Sequence, residues 1–107
     1  MISRELIKGT LKYLVMNLLQ KEGRMYGYEI TQVLDEKSSG QVKLTFAALY
    51  PVLHKLEAVG FVKTETENVN NRIRKYYTLS ETGKKEAILL LNEFNDYLNQ
   101  MQSLVNK

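Results

Sequence analysis

The side chains able to do chemistry in this chain fall in two short stretches. Between Thr45 and Gly60, in TFAALYPVLHKLEAVG, stand Tyr50, His54 and Lys55, and a little later come Arg72, Arg74 and Lys75. A phenol, an imidazole, ammonium groups and guanidinium groups are hydrogen-bond donors on planar rings or flexible stems. They suit phosphates and the edges of nucleic-acid bases. Ala47 and Ala48, small residues in the first stretch, would let a helix backbone approach a groove closely. The same inventory leaves little for catalysis. There is no cysteine and a single histidine, His54, so neither a thiol nucleophile nor a Cys/His metal cluster can be assembled. No glycine-rich phosphate loop occurs, and nothing sets a serine and an aspartate beside His54. The expectation is a protein that is not an enzyme, with no cofactor and no metal.

The elements that must position these residues are legible from periodicity. Leu49, Val52, Leu53 and Leu56 form one stripe of a 3.6-residue helix, with Thr45 as its N-cap and Gly60 just past its end. The opposite face carries Ala47, Ala48, Tyr50, Pro51, His54 and Lys55. Pro51 leaves two courses open, since it lacks an N–H in the second turn: a kinked helix, or a regular helix that begins at Pro51. Before this stretch, Leu11, Leu14, Val15, Leu18 and Leu19 predict a first helix from Thr10 to about Gly23. Met1–Gly9 has a mixed pattern and reads as a helical turn or a loose arm. Ile30, Val33 and Leu34 predict a second helix over about 27–37, closed by Ser38-Ser39-Gly40. Val42–Leu44 is at most a scrap of strand.

After the third helix, Phe61–Glu67 and Arg72–Leu79 alternate and are rich in strand formers, and they flank the turn cluster Asn68–Asn71. The hairpin carries Arg72, Arg74 and Lys75 on its second strand. Alternation sends Ile73 and Lys75 to one face and Arg72 and Arg74 to the other. Ile73 suits the core face better, so Arg72 and Arg74 are expected outward. Tyr76 and Tyr77 also point oppositely, so one of them is structural. Ser80 caps a last helix from about Glu81 to Leu104 or Val105. In it Ala87, Leu91, Phe94, Leu98, Met101 and Val105 are spaced 4, 3, 4, 3 and 4. That is an a/d seam, longer than so small a domain can cover, and exposing it would leave a large apolar patch. A homodimer held by this seam, with Leu11 of the first helix contributing, is expected. Any small-molecule effector is expected between the subunits, near Phe94, Tyr97 and Leu98 and lined by Leu11 and Val15.

A chain of 107 residues is one domain. Its net charge of +3 is unevenly spread: residues 37–85 hold nine basic against four acidic side chains, whereas residues 86–107 hold one against three. The positive middle suits a polyanion. No signal peptide is apparent and the apolar runs are too short to span a membrane, so a soluble cytoplasmic protein without membrane association is the expectation. The order helix, helix, helix, basic hairpin is that of a winged helix-turn-helix, whose third helix meets the major groove while its hairpin lies on the flanking backbone. The fold expected is mainly α with a small β-hairpin. Residues 1–79 would form the DNA-binding unit and residues 80–107 the dimerisation helix, as one compact body. A winged-helix protein-interaction module without DNA binding is the alternative.

The residues named so far carry a resemblance. Gly9-Thr10-Leu11, Tyr26-Gly27-Tyr28-Glu29-Ile30, Ala48-Leu49-Tyr50-Pro51-Val52-Leu53-His54-Lys55-Leu56-Glu57 with Gly60, and Arg74-Lys75-Tyr76-Tyr77-Thr78-Leu79 with Thr82-Gly83 resemble the PadR family of bacterial transcriptional regulators. The likeness is to the short members with one C-terminal helix, and it runs from about Gly9 to the end. It implies a continuous recognition helix through Pro51. It also implies a repressor that dimerises through the last helix against the partner's first helix, and in some members a response to a small aromatic or drug-like ligand. The expected DNA-binding residues are Lys43, Thr45, Ala47, Ala48, Tyr50, His54, Arg72, Arg74 and Lys75, on a near-palindromic double-stranded site. Relatives often have Gly-Thr where this chain has Ala47-Ala48, which removes a hydroxyl from the DNA face. The chain has no tryptophan, so an aromatic sandwich of the kind found in some short relatives has no counterpart.

Overall fold

A computed structural model describes all of residues 1–107. Four helices and three short strands follow one another as α1 (Arg4–Glu22), β1 (Met25–Tyr26), α2 (Gly27–Lys37), α3 (Phe46–Ala58), β2 (Val62–Val69), β3 (Arg72–Leu79) and α4 (Glu81–Val105). The strands make one antiparallel sheet in the order β1-β3-β2. No helix is long and apolar enough to cross a membrane.

Local chemistry explains where the elements begin and end. Ser3, Thr45 and Ser80 each accept a hydrogen bond from the N–H three residues on, at 3.4, 3.2 and 3.0 Å, and so satisfy a free donor of α1, α3 and α4. At α2 the Glu29 carboxylate reaches back to the Tyr26 N–H at 3.3 Å. Gly23 and Gly60 follow α1 and α3 with φ of 83° and 86°, a left-handed backbone that a Cβ disfavours. Asn70 and Asn71 both have positive φ, 53° and 64°, which gives β2 and β3 a two-residue turn matched to strand twist.

Two expectations are corrected here. The first helix begins at Arg4, not at Thr10. Ser3 supplies the cap, and the Thr10 hydroxyl instead bonds back to the Ile7 carbonyl at 2.9 Å within the helix. The mixed pattern before Gly9 arises because Ile7 alone turns inward there while Leu6 stays exposed. Ile73 is 78 % exposed. It lies on the core face of β3, but the hairpin tip reaches past the core, so nothing covers it. Pro51 sits inside α3, and the helix runs through it. An internal proline costs about 3 kcal/mol; full burial of Leu49, Leu53 and Leu56, at about 1.5–3 kcal/mol each, offsets that.

The core gathers Val15, Met16 and Leu19 of α1, Ile30 of α2, Leu49 and Leu53 of α3, and Tyr77 of β3. The helix α4 runs back along α1: Ala87 and Leu90 join the core, Phe94 stacks on Tyr13 at 5.4 Å, and Tyr97 lies by Gly9. Beyond Phe94 every residue of α4 is exposed. At its start, α4 is seated on Phe61. A Cβ on Gly83 would fall on the Phe61 carbonyl, a backbone atom that cannot yield. We expect Gly83→Ala to destabilise the protein by about 2–3 kcal/mol despite the better helix propensity of alanine. Urea unfolding followed by circular dichroism measures this, and an unchanged midpoint would contradict the close seat.

Candidate nucleic-acid interface

The third helix turns a row of rings outward. Phe46, Tyr50 and His54 stand at i, i+4 and i+8, with ring centroids 5.8 Å apart in both pairs, and the Tyr50 and His54 rings are within 25° of parallel. All three are exposed, as are Ala47 and Pro51 beside them. Sequence reading found Tyr50 and His54 but missed Phe46; its four-residue spacing from Tyr50 is the signal that would have included it. Ala48 is half-buried and turned toward α1 rather than placed at the centre of the outer face. Thr45 is exposed, but its hydroxyl is engaged as the helix cap.

The hairpin stands beside this row. Tyr26, Tyr28, Phe46, Tyr50, Arg72 and Lys75 open onto one depression between the start of α2, the start of α3 and the strand β3. On β3 the alternation is as expected: Tyr77 is buried at 1 % exposure, while Arg74 and Tyr76 turn to the opposite face. There the two arginines and two tyrosines interleave. The Arg74 guanidinium lies 4.4 Å from the Tyr26 ring centroid, Tyr26 meets Tyr76 edge-on at 5.6 Å, and Arg24 lies 3.7 Å over Tyr76. Arg24 also pairs with Glu65 at 3.1 Å and with Glu67, both on β2. Arg24 was not singled out from sequence, and Tyr26 only as part of the Tyr26–Ile30 motif, because what matters is the β1 strand that brings them onto β3, and two residues leave no periodic trace.

The cations differ in how they are held. Lys43 pairs with Asp35 at 3.2 Å and Lys75 with Glu57 at 3.4 Å. Glu57 also accepts from the Thr64 hydroxyl at 3.0 Å. Lost hydration works against the Lys75 charge, yet the Tyr77 phenol and the Glu57 carboxylate outweigh it, and its pKa is raised. Burial pushes the Tyr77 phenol up. Hydrogen bonding to the Tyr76 phenol raises Arg74, and the bond to Glu67 raises Arg24. Arg72, at the hairpin tip, is exposed and in no ion pair.

The residues expected at a dimer interface and effector site divide in two. Leu11, Val15 and Ala87 are buried inside this chain at 4, 0 and 3 % exposure. Helical periodicity turns Leu11 and Val15 toward the protein's own core, while Gly9, Thr10 and Tyr13 face α4. Leu11 and Val15 therefore line no cavity against α4. The cavity found there, about 380 Å³, is lined by Glu5, Leu6, Thr10, Tyr13, Phe94 and Tyr97 among others. In it the Tyr13 phenol donates to Glu93 at 2.6 Å, which raises its pKa. Leu91, Leu98, Met101 and Val105 remain exposed along α4.

Comparison with known proteins agrees with this geometry. Residues 15–88 match the transcriptional regulator PadR-like family. A transcriptional regulator from Clostridium thermocellum superposes with a TM-score of 0.84 at 26 % identity, covering 98 % of this chain and 99 % of that one. A PadR family transcriptional regulator from Eggerthella lenta gives 0.80 at 26 % identity over 94 % of this chain and 86 % of its own. Bacillus subtilis PadR, solved in complex with operator DNA, gives 0.69 at 34 % identity, over 77 % of this chain and 46 % of that longer one.

The Arg24 cluster ties the hairpin to the connection before α2. Arg24→Ala removes two ion pairs and one stacked face at once. The expected result is faster amide hydrogen exchange over Glu65–Arg74, with the exchange of α1 unchanged. Equal protection of the hairpin in the variant and the native chain would show that the cluster does not hold it.

Proposed function

The chain belongs to the PadR-like family of transcriptional regulators, and from that premise we propose that it is a sequence-specific DNA-binding repressor that acts as a homodimer. The observation that carries the reading is the exposed row Phe46–Tyr50–His54 on α3, flanked by a hairpin bearing Arg72, Arg74 and Lys75. That arrangement suits insertion of α3 into a major groove, with the hairpin on the adjacent backbone. The operator complex of Bacillus subtilis PadR supports it. Lys43, Thr45, Arg72, Arg74 and Lys75 would serve phosphates, and Ala47, Tyr50 and His54 would lie nearest the base edges. Ala48 would contribute mainly by its small size.

The dimer rests on α4. Only 20 of 107 residues are buried, and none lies beyond Leu90. The apolar stripe that begins with Ala87 and Leu90 nevertheless continues through Leu98, Met101 and Val105 into solvent. A second α4 and the partner's α1 would cover it. A planar aromatic effector would take the cavity between α1 and α4, against Tyr13, Phe94 and Tyr97. From there it would alter the angle between the two subunits.

Two measurements test this. Suppose each subunit neutralises about four phosphates. Those contacts alone should make the logarithm of the affinity fall against the logarithm of salt concentration with a slope near −7, any further contact steepening it, and Arg74→Ala should flatten the slope by about one to two units for specific and scrambled duplexes alike. If no duplex is preferred over a scrambled one, the repressor reading yields to a protein-interaction module. Leu98→Glu would place an unpaired charge in the seam. Sedimentation should then show monomer where the native chain shows dimer, and a well-folded micromolar dimer of the variant would rule the seam out.

A further inference from the structure

We infer that Lys8 and Lys12 of α1, together with Lys55 of α3, form a second phosphate-binding track on the side of the recognition helix away from the hairpin. The inference rests on the DNA-binding reading above and adds a site to it.

The starting point is the shape of a groove. A helix with its side chains is about 10–12 Å across and the B-DNA major groove about 12 Å wide, so a helix lying in it has a sugar-phosphate wall on each side. On this protein, the hairpin and the start of α2 both stand on the Tyr50 side of α3. The wall opposite must meet whatever flanks α3 on its other side. That flank is α1. Lys8, Lys12 and Lys55 line a continuous trough whose floor is Pro51, Val52 and Val59. The trough extends past Ala48 to Arg4 and Lys8 at the start of α1.

Most cations on the Tyr50 side of α3 are held by a partner: Arg74 is stacked on Tyr26, and Arg72 at the hairpin tip is the one left without a carboxylate or a ring. Lys43, Lys75 and Arg24 each already hold a carboxylate. Arg4, Lys8, Lys12 and Lys55 are all exposed and take part in none of the six ion pairs of the chain; Lys12 alone has another partner, its ammonium lying 5.0 Å from the centroid of the Tyr13 ring. Along the whole trough Glu5 is the single acidic side chain. Arg4, Lys8 and Lys12 also follow one another at i, i+4 and i+8, so like charges are stacked on one helical stripe. Arg4 also falls in the first turn of α1, where the helix dipole is positive. This arrangement is unfavourable in the free protein on both counts. A polyanion laid along it removes both penalties. A cation with no carboxylate partner gives up no ion pair when it meets a phosphate, so the release of small counterions is gained in full.

The test compares the native chain with the triple variant K8Q/K12Q/K55Q and with Arg72→Gln on the hairpin. Fluorescence anisotropy is read on a promoter duplex and on a scrambled duplex at several salt concentrations, and thermal unfolding of the free proteins is read alongside. If both subunits use all three lysines, six contacts are lost and the triple variant should show a salt slope shallower by about five units, which corresponds to a loss of about a hundred-thousandfold at 0.1 M salt, equal on both duplexes. Its unfolding temperature should be unchanged or higher, because like charges have been removed. A native salt slope in the triple variant, with Arg72→Gln still weakening binding, overturns the second track while leaving the regulator reading intact, and the trough is then free for an acidic protein segment. If the native chain itself binds no duplex at low salt, the regulator reading falls, and the track with it.

Discussion

The junction between the end of α3 and the start of α4 is the constraint on which the rest depends. The Ser80 and Thr82 hydroxyls both donate to the Gly60 carbonyl, at 2.6 and 3.2 Å, and the Ser80 N–H donates to the Phe61 carbonyl at 3.0 Å. Gly83 leaves no side chain between α4 and that carbonyl. The third helix, the hairpin and the long arm are thereby joined at one rigid point. An arm of 25 residues is about 37 Å long, so a 10° change at this junction carries its far end about 6 Å. On the dimer reading, that lever sets the distance between two recognition helices. It also gives Gly60, Ser80, Thr82 and Gly83 one shared structural role, although twenty residues separate the first from the others.

Much of this was legible in the sequence because caps and periodicity are local. Thr45, Ser80 and Gly60 mark the element ends they were expected to mark, and the stripes Leu49–Leu53–Leu56 and Ile30–Leu34 are buried as their spacing requires. What escaped depends on residues far apart in the chain. The strand β1 is two residues long and exists only because Met25 and Tyr26 pair with Tyr77 and Tyr76. Its cluster of Arg24, Tyr26, Arg74 and Tyr76 is invisible until that pairing is known. Ile73 was assigned to the core on its apolarity, yet an alternating strand says which face a residue takes and not how far the core extends. The same limit applies to Leu11 and Val15, whose apolarity foretold burial but not which neighbour would supply it.

The first helix shows how one element can serve three surfaces. Val15, Leu18 and Leu19 enter the core. Gly9, Thr10 and Tyr13 meet α4, where Tyr13 is held by Phe94 and Glu93. Lys8 and Lys12 line the flank of α3. With 100° per residue, three such stripes fit around a single helix only if each is narrow. That is why its apolar pattern looked weak before Gly9. A ligand lodged between α1 and α4 would thus press on the element that also borders the recognition helix.

The pairing of cations bears on how affinity and placement divide on the DNA-binding reading. A half-buried ion pair at the surface such as Lys75–Glu57 is worth little by itself, about 0–1 kcal/mol, and is partly screened by salt. When a phosphate displaces the carboxylate, most of the attraction gained replaces attraction lost, and Glu57 is left facing a new negative charge. Such a cation adds little net affinity. It is, however, held in one orientation by its partner, and by Thr64 behind it, so it favours one placement of the backbone over others. The stacked Arg74 and the doubly paired Arg24 are ordered in the same way. Cations without partners, by contrast, draw in a polyanion strongly but with little preference for where it lies. A regulator that must find DNA quickly and then sit on it in one register gains from having both kinds, and here the held ones lie on the hairpin side of α3, with Arg72 free at its tip, and the others on the α1 side.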